Sequence, residues 1–254
     1  MGTLRKPHQG IINIIRFNWH FYVIASMIVL IIMISFWLLD EDWHWLAYIG
    51  LGSVILPILA SLLISWYIYD LSDLYQLKHL IQVEQSEKIS ILNLTSGFDE
   101  TSEIIKSIFI QAELSICDFY DPSKHTEVSI RRARALYSPL PDTIQIKTSL
   151  IPYPAEHFDL ICIIFAAHEI RDFEERLHLF NEVKRVLKPG GNVYVTEHLR
   201  DFNNFMVYTI GSFHFFTKSS WLKIFGKAGL SVVEEMNSTP FVTTFNLKKN
   251  GVPR

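Results

Sequence analysis

Charge is missing from this sequence over two long stretches. Phe21 to Leu39 runs 19 residues without a charged side chain, and Trp45 to Tyr69 runs 25. Only Asp40-Glu41-Asp42-Trp43-His44 separates them. A helix of about 20 apolar residues crosses the hydrocarbon core of a bilayer, so the spacing predicts a transmembrane hairpin. Neither run has a polar face, which argues against a helix pair packed on a soluble core. Trp37, Trp43, Trp45, Trp66, Tyr67 and Tyr69 stand at the ends of the runs, as an aromatic belt would. The first run lacks a small-residue cleavage site and is followed at once by a second, which argues against a cleaved leader. Cysteine is scarce: Cys117 and Cys162 are the only two. Each lies in an apolar stretch and reads as a buried thiol in a reducing compartment. A basic surplus is also lacking, since 23 Lys and Arg stand against 26 Asp and Glu. That balance gives no nucleic-acid footprint, and nucleic acid is not expected as a partner.

What is present divides the chain. Residues 1–20 carry Arg5, Lys6 and Arg16, whereas the hairpin loop is acidic. By the positive-inside rule the N-terminal segment stays in the cytoplasm, and two crossings return the rest there. The expected layout is a cytoplasmic segment 1–20, a two-span membrane hairpin 21–69, a connector 70–87 and a cytoplasmic-side domain 88–254. Leu71, Leu74, Leu77, Leu80 and Ile81 recur at helical spacing and predict a connector helix. It would lie along the membrane or pack on the domain. Pro57, inside the second run, is tolerated in membrane helices. Paired membrane helices often pack with copies of themselves, which allows a homo-oligomer.

The domain is organised around Glu182-Val-Lys-Arg-Val-Leu-Lys-Pro-Gly-Gly-Asn-Val-Tyr-Val-Thr-Glu197. Phe180, Val183 and Leu187 fall at helical spacing, Pro189 stops the helix, and Gly190 and Gly191 are expected at positive φ in a reversal. A buried strand then ends on Glu197. Upstream, the apolar strand Lys88–Leu94, the turn Thr95-Ser-Gly-Phe-Asp99, a helix over 100–111 and a strand ending at Asp118 follow the dinucleotide-type arrangement. The stretch 159–165, apolar after Asp159, reads as a central parallel strand, ending beside His168 and Glu169.

The segment 182–197 resembles the stretch before and through strand five of class I S-adenosylmethionine-dependent methyltransferases. The resemblance implies an α/β, Rossmann-like, seven-stranded and mostly parallel sheet with helices on both faces, here preceded by the two-helix hairpin. It implies S-adenosylmethionine as cofactor, its ribose held by Asp118 with Phe119 beside it. Where the family reads acid-x-Gly-x-Gly-x-Gly, this chain reads Asn93-Leu94-Thr95-Ser96-Gly97-Phe98-Asp99. Asn93, Thr95, Gly97 and Asp99 thus take the cofactor-loop positions, with Asp99 offered to the cofactor's ammonium. Thr148 and Ser149 stand where the family carries the Gly-Asp that contacts adenine.

Ligands of open α/β sheets bind outside the carboxyl ends of the strands. His168, Glu197 and His198 stand at those ends and are the expected catalytic groups, taking a proton from the acceptor. Arg131, Arg132 and Arg134 read either as a solvated face or as an anchor for an anionic group. The aromatic segment 202–216 reads as core or as a membrane-facing lid. A tethered enzyme gains most from a lipophilic acceptor, so the expected function is methylation of a lipid, quinone or isoprenoid, with the bilayer as a partner. Two alternatives stay open. One is a metal-dependent enzyme, similar to the quinone-modifying relatives that make rhodoquinone, with a divalent metal on His125, Glu127, His168 and His198. The other is a non-catalytic, membrane-tethered module on a methyltransferase-like fold.

Overall fold

A computed structural model describes residues 5–81 and 89–251 of the chain. Lys88, residues 82–87 of the connector and residues 1–4 of the N-terminal segment lie outside them. Two long helices come first, α1 (Gln9–Leu38) and α2 (His44–Trp66), joined by a 3-10 turn at Glu41–Trp43. Both are long and apolar enough to cross a membrane, and their most apolar stretches are 0% and 6% buried. α1 breaks its helical backbone at Asn18 (φ −116°, ψ 16°). The break separates the uncharged remainder from a base, Gln9–Phe17, in which Gly10, Asn13 and Phe17 are buried.

The two helices close at this base. The carboxylate of Asp70 accepts the backbone N–H groups of Gly10 and Ile11, each at 2.8 Å. The first N–H groups of a helix have no partner within it, and an acid suits the positive end of its dipole. A Cβ on Gly10 would come within 2.4 Å of Tyr69 Cβ, so only glycine permits this crossing.

The connector is not the single helix its leucine spacing predicts. It is a π turn (Tyr67–Leu71), a 3-10 turn (Leu74–Gln76) and the short α3 (Lys78–Ile81). Ser72 is extended and Leu77 adopts φ +47°, and each interrupts the helix. Leu74, Leu77 and Leu80 are fully buried. The leucines therefore serve packing on the domain, which outweighs regular helix formation.

The domain follows as β1 (Ser90–Thr95), α4 (Ser102–Ile108), β2 (Glu113–Asp118), α5 (Val128–Leu136) and β3 (Thr143–Gln145). Then come β4 (Phe158–Ile164), α6 (Phe173–Val186), β5 (Leu187–His198), α7 (Phe202–Tyr208), α8 (Lys218–Ala228), β6 (Leu230–Thr239) and β7 (Val242–Lys249). The seven strands lie in the order β3-β2-β1-β4-β5-β7-β6. β7 is antiparallel to both its neighbours, and the rest are parallel. This is the expected seven-stranded, mostly parallel sheet. The strand order reverses between β1 and β4, the switch point where such sheets take ligands.

Alternate residues of the central strands serve opposite faces. Leu92, Leu94, Ile161, Ile163, Val193 and Val195 pack with residues of α6 and α8. Ile91, Leu160, Cys162 and Tyr194 pack with Ile104, Ile105, Leu77 and Leu80. Cys117 and Cys162 are buried free thiols, and burial pushes both up to about 12, which leaves them unreactive.

α6 is capped by Asp172, whose carboxylate accepts the Glu175 N–H at 2.8 Å. After it the chain does not turn before entering the strand. Leu187 already pairs with Phe158, and Asn192 pairs with Leu160, so residues 188–191 bulge opposite Asp159. Gly190 has φ +82°, as expected. Gly191 does not share it; its role is close approach, since a Cβ there would lie 2.9 Å from the Asp159 carbonyl oxygen.

Candidate active site

The loop between β1 and α4 is built by short polar side chains. Asn93 donates to Thr101 Oγ1 at 3.0 Å and Ser102 Oγ at 2.8 Å, tying the end of the strand to the start of α4. Thr95 and Ser96 are buried. Gly97 has φ +92°, and a Cβ there would meet the Tyr120 ring at 3.0 Å. The surviving glycine is therefore required both by its backbone and by the residue after strand two. Asp99 Oδ1 accepts the N–H groups of Thr101 and Ser102, both at 2.9 Å, while its Oδ2 is buried without a partner.

Asp118 ends β2 and is 1% exposed. One carboxylate oxygen accepts the Tyr120 N–H at 2.8 Å; the other pairs with Arg134, which also reaches Gln145. Arg134 is thus occupied with orienting Asp118, and Arg132 donates to the Phe17 carbonyl in α1 at 2.7 Å. Of the three arginines read as an anion anchor, only Arg131 is exposed. Arg131 and Arg134 line an open groove of about 630 Å³ with Tyr120, Gln145 and Ile146. Phe119 is a core residue, packed among Leu94, Ile146 and Ile151. Ser149 points to solvent, and it is Thr148 that turns inward, donating to Glu175 Oε1 at 2.8 Å.

The carboxyl ends of β4 and β5 hold a histidine–carboxylate cluster. Phe165 closes β4 with φ +49°, a left-handed conformation that is costly for a bulky residue and that turns the chain into the 3-10 turn Ala167–Glu169. His168 Nδ1 bonds Glu197 Oε2 at 2.7 Å, and His168 Nε2 lies 3.4 Å from Glu169 Oε1. Burial opposes charge on this imidazole, but the charge of Glu197 and hydrogen bonds to both carboxylates outweigh it and push His168 up to about 10. His168 is accordingly an imidazolium at neutral pH. That corrects its expected role as a proton acceptor. The free lone pairs belong to Glu169, whose Oε2 is buried without a partner. Burial works against the Glu169 anion, yet the hydrogen bond and charge of His168 hold its carboxyl below the usual range.

His214, from the 3-10 turn Thr209–His214, completes the cluster. Its ring centroid lies 5.1 Å from that of His168, and its Nδ1 lies 3.4 Å from Glu127 Oε1. His168, Glu169 and His214 bring donor atoms within 4.8 Å of one another, a set that suits a divalent cation. Nearby, His125 is buried, with Nδ1 accepting the Asp121 N–H at 2.9 Å and Nε2 unpartnered. Two members of the metal set expected from sequence, His168 and Glu127, thus fall in this cluster. His198 does not. Its Nδ1 donates to the Phe241 carbonyl at 2.9 Å, and its Nε2 accepts from Tyr69 at 2.7 Å. The ring is stacked between Phe165 and Phe215, and burial pushes it down to about 4. Both nitrogens being taken, His198 is a neutral docking post for Tyr69 at the end of the helical hairpin and neither base nor ligand. Glu169 and His214 are the cluster members that sequence reasoning left without a role. Glu169 was visible beside His168, while His214 was hidden in an aromatic run.

This geometry has known counterparts. Residues 117–195 match the family model of the methyltransferase domain. The chain is 28% identical over 157 residues to a ubiquinone/menaquinone biosynthesis C-methyltransferase, UbiE, of Shewanella oneidensis, covering 61% of this chain and 57% of the relative. It is 27% identical over 169 residues to the protein of that name from Shewanella putrefaciens, covering 65% of this chain and 62% of the relative. The fold matches a SAM-dependent methyltransferase from Aquifex aeolicus with a TM-score of 0.54 and 16% identity, over 75% of this chain and 97% of the other. Over residues 117–195 the chain is similar to the methyltransferase-domain family, and its sheet has the fold of a SAM-dependent methyltransferase. It spans about 57% of the first of these curated relatives.

The methyltransferase fold implies S-adenosylmethionine as cofactor, and the residues present fit it. Asp118 keeps carboxylate lone pairs beyond its two present contacts, sufficient for ribose hydroxyls. The orphaned Asp99 Oδ2 suits an ammonium group. Gly97 keeps the loop thin where backbone and ligand must approach.

Proposed function

We propose that this protein is a membrane-anchored, S-adenosylmethionine-dependent methyltransferase acting on a lipophilic acceptor, a lipid, quinone or isoprenoid, at the cytoplasmic membrane face. One observation carries the reading: the end of the hairpin is bonded into the carboxyl edge of the sheet, through Tyr69 and His198 at 2.7 Å. The edge where such folds bind ligands therefore adjoins the membrane-competent helices. The segment from α7 to His214 extends the same apolar surface, with Phe202 75% and Ile210 79% exposed. The C-methyltransferase names of the Shewanella relatives fit an acceptor of this class.

When bound, the cofactor supplies an electrophilic methyl group on a sulfonium. The chain supplies position and a place for the proton. Asp118 and Asp99 fix the two ends of the cofactor, which sets the direction of attack. Glu169 Oε2 takes the acceptor's proton, and the imidazolium of His168 holds that carboxylate in place. Glu197 keeps His168 charged and oriented. The test is transfer of radiolabelled methyl groups from S-adenosylmethionine into the organic phase of a membrane extract by the full-length protein. Label in that phase, lost in Glu169→Gln, supports the reading. Label confined to water-soluble products overturns the lipophilic acceptor.

A second reading is favoured by the donor set of His168, Glu169 and His214. A divalent cation there would replace the proton of His168, and the enzyme would be a metal-dependent, non-methyl-transferring quinone- or lipid-modifying enzyme. Turnover abolished by chelator and restored by Mn²⁺ or Mg²⁺, with nitrogen transferred instead of a methyl group, distinguishes it.

A further inference from the structure

The base of α1 does not stop at the membrane hairpin. It reaches across to the cofactor loop and meets one carboxylate, Glu100, the residue between the loop and α4. Glu100 Oε1 accepts from Gln9 Nε2 at 2.9 Å and Asn13 Nδ2 at 3.3 Å, and lies 3.3 Å from Arg5 Nη2. Its Oε2 accepts from Tyr75 in the connector at 2.9 Å. The guanidinium of Arg5 sits 3.4 Å over the Tyr75 ring. The Glu100 side chain is only 12% exposed and that of Arg5 13%, so the pair is shielded from solvent. One turn further along α1, Asn13 accepts from Tyr137 at 2.6 Å, and Phe17 packs edge-on against Phe98 at 5.4 Å. Phe17 also joins Tyr120, whose ring is the surface that Gly97 meets.

From this we infer that Glu100 is a positioning residue through which the base of the membrane hairpin sets the order of the cofactor loop, and with it the affinity for the cofactor. The inference rests on the proposed cofactor use for its second half only. The anchor is then more than a tether. Three hydrogen-bond donors, Gln9, Asn13 and Tyr75, and the Arg5 guanidinium converge on a residue one position from Asp99 and three from Gly97. A loop short of two of the family's glycines, and carrying Thr95 and Asp99 in their place, takes its shape from outside. The Asn18 break lets the first turns of α1 lie on the domain while the rest enters the membrane. A tilt of the hairpin in the bilayer moves the donors and loosens the loop.

The test uses the full-length protein in detergent and reads two quantities. Hydrogen exchange is followed for residues 95–101, and S-adenosylhomocysteine is titrated by calorimetry. Glu100→Gln keeps the size of the side chain and removes its charge; Tyr75→Phe removes a single donor. Exchange in 95–101 is expected to speed up in both variants while α6 and β4 stay protected, and affinity is expected to fall about tenfold, within the usual range of coupling between sites. Adding Arg5→Gln to Glu100→Gln should weaken binding little further, because both remove one contact; a merely structural loss would add. Unchanged exchange in 95–101 in both variants overturns the inference, as does faster exchange with unchanged affinity. Faster exchange in a protein whose wild type binds no S-adenosylhomocysteine overturns the cofactor assignment and supports the coupling of hairpin to loop.

Discussion

His168 has a pH signature of its own. An unfolded imidazole titrates near 6.5, and in the fold Glu197 and Glu169 raise it to about 10 against the cost of burial. A raised folded value means that the protonated form stabilises the fold. The contribution is complete below pH 6.5 and disappears as pH rises through 10. The melting temperature of wild type should therefore exceed that of His168→Gln most at pH 6, with the gap closing toward pH 10. A gap constant with pH contradicts the charge assignment. Asp118 and Glu197 were visible from the sequence because they stand at the ends of β2 and β5, and His168 because it lies in the turn after β4; strand ends define the ligand edge. The exclusion of His198 was not visible. It depends on Tyr69, 129 residues away in sequence, and no local pattern records such a contact. The same holds for Glu100, whose partners are Arg5, Gln9 and Asn13 near the start of the chain and Tyr75 in the connector.

At the scale of elements, the hairpin base depends on Asp70 more than on propensity. Its carboxylate does for α1 what an N-cap does, from the π turn that follows α2. Asp70→Ala should lower stability by about 1 kcal/mol, the usual cost of a lost cap, read from the denaturation midpoint in detergent. Gly10→Ala should cost more, because its Cβ would overlap Tyr69. If Gly10→Ala is neutral, the close crossing is absent. The helix before β5 was legible in hydrophobic periodicity, and the seven-stranded, mostly parallel sheet in the resemblance of the segment 182–197. The connector was not. Leu74, Leu77 and Leu80 satisfy helical spacing, yet their burial on the domain demands a broken path. The Pro-Gly-Gly segment was also read too simply, as a turn before the strand, because a bulge opposite a single residue leaves no mark beyond its glycines.

At the scale of the molecule, the membrane-competent helices, the exposed α7 to His214 segment and the ligand edge of the sheet adjoin one another. The proposed lipophilic acceptor would then approach the ligand edge beside α7. Placing charge on that surface, as Phe205→Asp or Ile210→Asp, should reduce turnover of a lipophilic acceptor several-fold. Burying a charge in an apolar boundary is costly, and cofactor binding lies at the other end of the edge and should be unaffected. Equal turnover in wild type and both variants contradicts entry by this route.

The central claim is that the altered loop still holds S-adenosylmethionine through Asp118. It is tested most directly by calorimetric titration of S-adenosylhomocysteine into full-length wild type and Asp118→Ala, each with and without chelator. The account predicts saturable binding to wild type that ignores the chelator and falls at least tenfold in Asp118→Ala, since one tenfold step corresponds to about 1.4 kcal/mol and a hydrogen bond to a charged group contributes about 1.5–3 kcal/mol. Absence of binding to wild type, or binding untouched by loss of the Asp118 carboxylate, contradicts it.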